Sequence, residues 1–446
     1  MRLLVVLTCV LAGCLAEKPQ PCSSPPLLSG ALTMLGGYAT YLYDALEQRI
    51  RLSEMGTFDN KTFTSDVLLL FKEGTMYEIN KHDRTCKKRP LKTDFQPLEV
   101  PKNASLLAQV VLGTSSGPGQ GLLVNSWIGD LPNNAGKFVT TVTKSGCIPV
   151  STVYHSDQFG WAVISFFNNI IGISDPSLLN PPDFCPSAEM KVDIEEPANF
   201  LSVFNNYVRA GSERLEAAAH LPLCRLKWIP SDSMRSLVLF VCLSVGCLAQ
   251  RPHICRSPPL LTGRLSVSTQ SEKLTAYAKY SYDALGKRIR LREFGSYNNM
   301  TFHSDVLLLY RQGVMYKINY RDRTCCKKPL CTRFHPLEIP RNASLLGQVV
   351  LGSSSGPGQG LLVNTWVGEM KLRNGTAKYM STVTEFGCVP VSTLFYTEKS
   401  GWVVTSFFNN VIGLEDPQQL NPPTFCEDAL LEEDDGEDPE TFFSLF

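Results

Sequence analysis

The chain reads as all-β: two tandem domains, each two stacked antiparallel sheets forming a half-open sandwich or barrel. Three observations predict this. Short runs rich in Val, Ile, Phe, Tyr and Thr recur between turn residues, no long stretch shows helical periodicity with caps, and the second half repeats the first. The repeat is close: Asn103 to Gly129 matches Asn342 to Gly368 at 23 of 27 positions, the changes being Ala/Gly, Thr/Ser, Ser/Thr and Ile/Val. Each unit has the size of a domain, not of a solenoid period of roughly 20–50 residues, so each copy should fold by itself.

The elements follow from local pattern. Arg49 to Met55 alternates polar and apolar residues, as a half-buried strand does. Asp66 to Ile79 reads as two strands joined at Lys72, Glu73 and Gly74, and its copy turns at Arg311, Gln312 and Gly313. Further strands are expected at Gln109 to Leu112, Gly121 to Ile128, Lys137 to Lys144, Pro149 to Tyr154 and Trp161 to Ile171. Trp161 to Gly172 (WAVISFFNNIIG) and Trp402 to Gly413 (WVVTSFFNNVIG) are apolar on both strand faces; burial on both sides is the default reading, a wall of an apolar cavity the alternative. The second copy carries six extra residues around Thr269 to Lys279 and two more between Trp366 and Cys388, where loops are expected.

Met1 to Glu17 has the anatomy of a secretory signal peptide, and Met234 to Gln250 has it again in mid-chain. The expected boundaries are a signal peptide at 1–16, a first domain at 17–204, a joining segment at 205–233, a second signal-like segment at 234–249 and a second domain at 250–446. EEPANFLSVF, ending at Phe204, echoes EDPETFFSLF, ending at Phe446. The first copy is therefore expected to be complete before the joining segment, as in two adjacent coding units read in one frame.

Lys+Arg and Asp+Glu both total 42, which offers no basic excess for nucleic acid. Fifteen cysteines behind an export signal point to the oxidising secretory route. The expected location is secreted and extracellular, with the lysosomal lumen as a minor alternative. Neither signal core reaches the ~20 apolar residues of a membrane span, so no transmembrane segment is expected.

Cys22, Cys86, Cys147 and Cys185 align with Cys255, Cys325, Cys388 and Cys426. Two disulfides per unit are indicated, and spacing leaves three connectivities open. Cys9, Cys14, Cys242 and Cys247 belong to the signals and Cys224 to the joining segment; Cys326 and Cys331 are extra in the second copy, to pair with each other or leave a thiol for another chain. N-glycosylation sequons stand at Asn60, Asn103, Asn299, Asn342 and Asn374.

Catalysis is not expected. GTSSGPGQG (Gly113 to Gly121) lacks the Gly-Lys-Ser/Thr ending of a phosphate loop and opens no helix. None of His82, His155, His220, His253, His303 and His335 aligns with another across the copies, so the halves share no histidine base. Aligned carboxylates remain: Asp44, Asp66, Asp83, Glu99 and Asp175, matched by Asp283, Asp305, Asp322, Glu338 and Asp416. Such oxygens suit calcium, although no contiguous calcium loop is present. The tail Glu432 to Asp438 (EEDDGED) reads as a solubilising acidic terminus.

SPPLL, YDAL followed by RIRL, LLLFKEGTMYEIN or LLLYRQGVMYKIN, RTC, PLEVPKNAS or PLEIPRNAS, GCIPV or GCVPV, and DPSLLNPPDFC or DPQQLNPPTFC recur in each half. With these motifs each half resembles the ependymins and ependymin-related proteins. The resemblance covers Cys22 to about Phe204 and Cys255 to Phe446, and it implies a fold similar to bacterial lipoprotein carriers, with two antiparallel sheets around a deep apolar pocket. It further implies secretion, homodimers, calcium, a hydrophobic small molecule or lipid, and a role in cell-matrix adhesion with the extracellular matrix as partner. Carried onto matching positions, it implies Cys22 with Cys147, Cys86 with Cys185, Cys255 with Cys388 and Cys325 with Cys426. Cys326, beside Cys325, departs from the family pattern, and so does the mid-chain signal. The alternatives weighed against a binding and adhesion glycoprotein are a secreted or lysosomal hydrolase and a purely structural matrix protein.

Overall fold

The computed structural model describes residues 18–34, 37–58, 61–91, 94–131, 136–156, 160–185, 252–269, 274–297, 300–330, 333–372, 375–397 and 401–432. Both signal-like segments, the joining segment, Asn60, Asn299, Asn374, Cys331 and the acidic tail beyond Glu432 lie outside the described residues. Packing divides the chain into two units: residues 1–112, 121–215 and 350–361 in one, and 113–120, 216–349 and 362–446 in the other.

The first copy contributes eleven strands: β1 (Leu27–Met34), β2 (Gly37–Asp44), β3 (Arg49–Phe58), β4 (Lys61–Leu70), β5 (Thr75–Asn80), β6 (Thr85–Pro90), β7 (Ser105–Gly113), β8 (Gly121–Asp130), β9 (Lys137–Thr143), β10 (Pro149–Ser156) and β11 (Gly160–Ile171). Ten of them form one antiparallel ladder in the order β8-β9-β10-β11-β1-β2-β3-β4-β5-β6. The second copy repeats the set as β12 (Leu260–Thr269), β13 (Leu274–Asp283), β14 (Arg288–Tyr297), β15 (Met300–Leu309), β16 (Val314–Asn319), β17 (Thr324–Pro329), β18 (Ser344–Gly352), β19 (Gly360–Leu372), β20 (Gly375–Thr384), β21 (Pro390–Thr397) and β22 (Gly401–Ile412). Its ladder, β19-β20-β21-β22-β12-β13-β14-β15-β16-β17, matches strand for strand. Helix among the described residues is limited to short 3₁₀ turns at Pro176–Leu179, Pro417–Leu420 and Thr424–Cys426.

The expected hairpin at Lys72 to Gly74 joins β4 to β5, with Gly74 at φ 58° where a glycine carries no Cβ penalty. The three-leucine run of β4 is buried on both faces. Val67 and Leu69 join the inner cluster with Leu52, Ile164 and Phe166, while Leu68 and Leu70 pack outward on Tyr77, Ile79, Leu179 and Cys185. That outer layer is the segment after β11, folded back over β4 and β5. Each leucine so buried contributes about 2 kcal/mol.

Two expectations about local structure are corrected. The six-residue insertion does not sit wholly in a loop: β1 and β2 are 8 residues each, whereas β12 and β13 are 10 each. The hairpin has grown by extra paired residues, because the added chain continues the ladder through Ser268↔Thr275. Nor is β11 apolar on two buried faces throughout. Ile164 and Phe166 enter the core, but Val163, Ile170 and Ile171 are exposed.

The Asn-Asn pair that ends FFNN is where β11 bends. Ser29 pairs with Ile170 and Ala31 with Phe167, so the single residue Gly30 faces both Asn168 and Asn169. This is a β-bulge, and Asn168 takes φ 52° in it, a region asparagine tolerates better than most residues. The second copy repeats the bulge at Gly263, with Asn409 at φ 53°.

Candidate functional site

The aligned carboxylates do not gather into one site. Asp44 closes the β2–β3 turn: Oδ1 accepts from the Leu46 and Glu47 amides at 3.0 Å each, and Oδ2 accepts from Arg49 at 2.7 and 3.2 Å. Asp283 does the same with the Gly286 amide and Arg288. Asp66, on β4, receives both arms of the Arg51 guanidinium at 2.8 Å from the neighbouring β3, with Lys81 at 2.9 Å. Asp305 is held likewise by Arg290 at 2.8 and 2.9 Å. Burial works against ionisation of both Asp44 and Asp66, but it is outweighed at Asp44 by the Glu47 amide and then Arg49, and at Asp66 by Arg51 and Lys81, which hold the two carboxyls below the ordinary aspartate range.

The arginines of RIRL have a second task. Arg49 Nη1 donates to Asn180 Oδ1 at 3.0 Å and Arg51 Nη1 donates to the Leu178 carbonyl. In the other copy Arg288 reaches Asn421 Oδ1 and Arg290 reaches the Gln419 carbonyl. The motif thus ties the DPSLLN or DPQQLN segment to the sheet, and Asp175 and Asp416 cap the 3₁₀ turns of those segments through Ser177 N and Gln418 N at 3.0 Å each. A cavity of about 270 Å³ opens beside the clamp, lined by Ser29, Gly30, Tyr41, Arg51, Lys81 and Leu178 among others.

The remaining acids are more exposed. Asp83 accepts from Asn80 Nδ2 at 2.8 Å and lies 2.7 Å from His82 Nδ1, while Asp322 pairs with Asn319. His82 has no counterpart, since Arg321 stands in its place. Glu99 accepts from Ser23 Oγ at 3.0 Å and Glu338 pairs with Arg256 at 2.7 Å. Arg256 and Glu338 edge a cavity of about 500 Å³ with Pro258, Tyr282, Pro336 and Leu337. Among the described residues no three His, Cys, Asp or Glu side chains come together as a metal cluster.

Cys22 stands by Cys147 and Cys86 by Cys185, with Cα separations of 6.1 and 5.2 Å, each bridged. Cys255–Cys388 and Cys325–Cys426 are bridged at 6.0 and 5.3 Å. The first bridge of each copy ties the chain's entry to the β9–β10 connection or its equivalent, and the second staples the folded-back segment to β6 or β17. Cys326 keeps a thiol that donates to Glu432 Oε2 at 3.0 Å. Burial first, and Glu432 second, push it up to about 11. Asn103 and Asn342 are exposed at the start of matching strands, as a glycan requires.

The inner face of each ladder is continuous and apolar. In the first copy it runs through Leu28, Leu32, Tyr41, Tyr43, Leu52 and Phe166. In the second it runs through Leu261, Leu265, Val267, Tyr280, Tyr282 and Phe407. The second interior carries one feature that no sequence pattern announced. Glu293, on β14, is only 4% exposed and neither carboxylate oxygen has a hydrogen-bond partner among the described residues. Burial pushes it up to about 7.

A sequence model of the Ependymin family matches residues 59–185 and again 298–426, more than half of the chain. The chain belongs to the ependymin family. It holds two ependymin copies in tandem, since curated ependymins each align with about half of it. Ependymin-2 of Carassius auratus is 35% identical over 210 residues, 47% of this chain and 95% of the relative. Ependymin-1 of Oncorhynchus mykiss is 34% identical over 221 residues, 48% of this chain and 97% of the relative. Mammalian ependymin-related protein 1 of Rattus norvegicus is 30% identical over 182 residues, covering 41% and 80%. Among solved structures, an uncharacterized conserved protein from Thermus thermophilus aligns at 12% identity over 40% of this chain and 91% of its own, with a TM-score of 0.26. No helix among the described residues is long and apolar enough to cross a membrane.

Proposed function

We propose that this ependymin is a secreted, disulfide-stabilised glycoprotein that carries a hydrophobic ligand in each of its two units and acts in cell-matrix adhesion. The observation that carries the reading is the set of four bridged cysteine pairs at equivalent positions, a pattern suited to an oxidising compartment. Exposed sequons at Asn103 and Asn342 support export, and the apolar inner face of each ladder supports an apolar ligand. Calcium and self-association belong to the same proposal through the family. Calcium carboxylates other than Asp44 and Asp66 would be needed, because guanidinium and amide donors already occupy the oxygens of those two.

The test is native mass spectrometry of material collected from the medium of expressing cells. Expected are glycan mass lost on amidase treatment, retained lipid released by denaturation, and a mass shift on adding calcium chloride. Protein kept inside the cell, unglycosylated and free of any retained small molecule would overturn the proposal.

A further inference from the structure

Glu293 is an expensive residue to leave alone. A buried carboxylate without a partner costs several kcal/mol, and native proteins seldom keep one without a water, ion or ligand to satisfy it. Its register partners are Ala278 on β13 and Ser304 on β15, and Gly295 follows it on the same face. Small side chains therefore flank it on three sides. Among the described residues no arginine or lysine hydrogen-bonds to it, and the cations on its own and the adjoining strand are engaged elsewhere: Arg288 with Asp283, Arg290 and Arg292 with Asp305, and Lys279 with Glu415.

Two further polar atoms in the same interior lack partners among the described residues, Tyr379 Oη and Thr405 Oγ1, on residues 4% and 0% exposed. Tyr379 belongs with Ala276 and Ala278 to the buried cluster that flanks Glu293, and Thr405 is the register partner of Val267, a member of that cluster. The two hydroxyls, and the burial of the acid without a partner, are particular to the second copy. Phe138 and Ile164 stand where it has Tyr379 and Thr405, and Glu54, the counterpart of Glu293, is only partly buried and has a partner. Divergence toward polar groups inside a core that otherwise stays apolar marks a place where a polar group from outside is received.

We propose that the interior of the second unit binds an amphiphile whose polar end is a protonated amine, with Glu293 as the anion that pairs with it and Tyr379 and Thr405 as hydrogen-bonding neighbours. An amine supplies what the site lacks, a positive charge with several N–H donors, while its alkyl chain matches the surrounding Leu, Val, Tyr and Phe side chains. This rests on the carrier reading above and narrows its ligand class for one unit.

The experiment uses the full-length secreted chain, stripped of bound lipid, with decylamine, decanol and decanoate as probes in titration calorimetry at pH 8. Decylamine is expected to bind at least about tenfold tighter than decanol, and Glu293→Gln to lower the amine to the level of decanol while decanol binding stays put. Tyr379→Phe, which takes the side chain of the first copy, should cost the amine several-fold and leave decanol alone. Equal binding of amine and decanol, a preference for decanoate, or an amine preference that survives in Glu293→Gln would overturn the inference and leave the carrier reading standing. Failure of all three probes to bind would remove both.

Discussion

The phenol of Tyr41 donates to Asn169 Oδ1 at 2.7 Å, and the amide of Asn169 donates in turn to the Pro149 carbonyl at 3.0 Å. Tyr280 and Asn410 repeat the pair at 2.6 Å. Asn169 is fully buried, so its carbonyl oxygen depends on that phenol. Burial pushes the Tyr41 phenol above its ordinary range and keeps it a donor at every physiological pH. Tyr41→Phe should therefore cost about 1–3 kcal/mol in denaturant unfolding. A Cβ at Gly30 would stand 2.5 Å from Asn169 Oδ1 and 3.0 Å from the Tyr41 ring, so Gly30→Ala should destabilise by at least as much.

The Arg51–Asp66 pair, with side chains 6% and 12% exposed, is a buried ion pair across β3 and β4. Removing one partner strands the other: Arg51→Ala should cost about 3–5 kcal/mol, and the double change Arg51→Met with Asp66→Leu much less. Urea unfolding of the singles and the double gives the coupling. Additive losses would show that the clamp on the Leu178 segment, not the charge pair, carries the effect.

Glu293 gives stability an unusual dependence on pH. Its folded value of about 7 lies above the 4.5 of the unfolded chain, so the folded protein holds this proton more tightly. Its cost is absent below pH 4.5, grows as pH rises toward 7, and levels off at about 3 kcal/mol. Stripped Glu293→Gln should therefore gain on the parent between pH 4.5 and 7 in thermal melts, whereas a constant difference across that range would contradict it. Asp44 and Asp66 act in the opposite sense: their depressed values give stability that is present above about pH 3.8 and lost as pH falls through them.

Cys326 should be a slow thiol. With its value at about 11, the thiolate fraction at pH 8 is roughly two orders of magnitude below that of an ordinary cysteine. Iodoacetamide labelling followed by peptide mass analysis should show slow modification of Cys326 in the native protein and rapid modification after unfolding.

Much of the ladder was legible in the sequence, because hairpins such as β4–β5 announce themselves by alternation and a glycine turn. β1, β2 and β6 escaped it. β6, TCKKRP, is the last strand of the ladder as paired through β5, and its run of charges carries no apolar alternation to mark it although it keeps a strand partner on one side. β1 hides behind Gly30, whose meaning appears only when Asn169 is seen opposite it. The acids were legible as a set and misread as to partner. Arg51 and Asp66 are 15 residues apart in sequence and meet only through the β3–β4 register, so spacing could not assign them to each other. Glu293 was invisible as a special residue because RIRLREFG looks like a surface strand until Ala276 and Ala278 show which side of it faces inward.

The lengths of the β1–β2 and β12–β13 hairpins follow a rule of balance. The six added residues divide into two on one strand, two at the tip and two on the other. Because both arms grew at the tip by the same number, the pairs below it keep their partners, as Leu28↔Tyr43 and Leu261↔Tyr282 show, and every side chain under the tip keeps its face. Duplicated ladders of this kind can therefore lengthen at their rims by equal additions to both arms while everything below the rim stays in register. That is a route by which one copy could acquire a deeper mouth than its sister without refolding its floor.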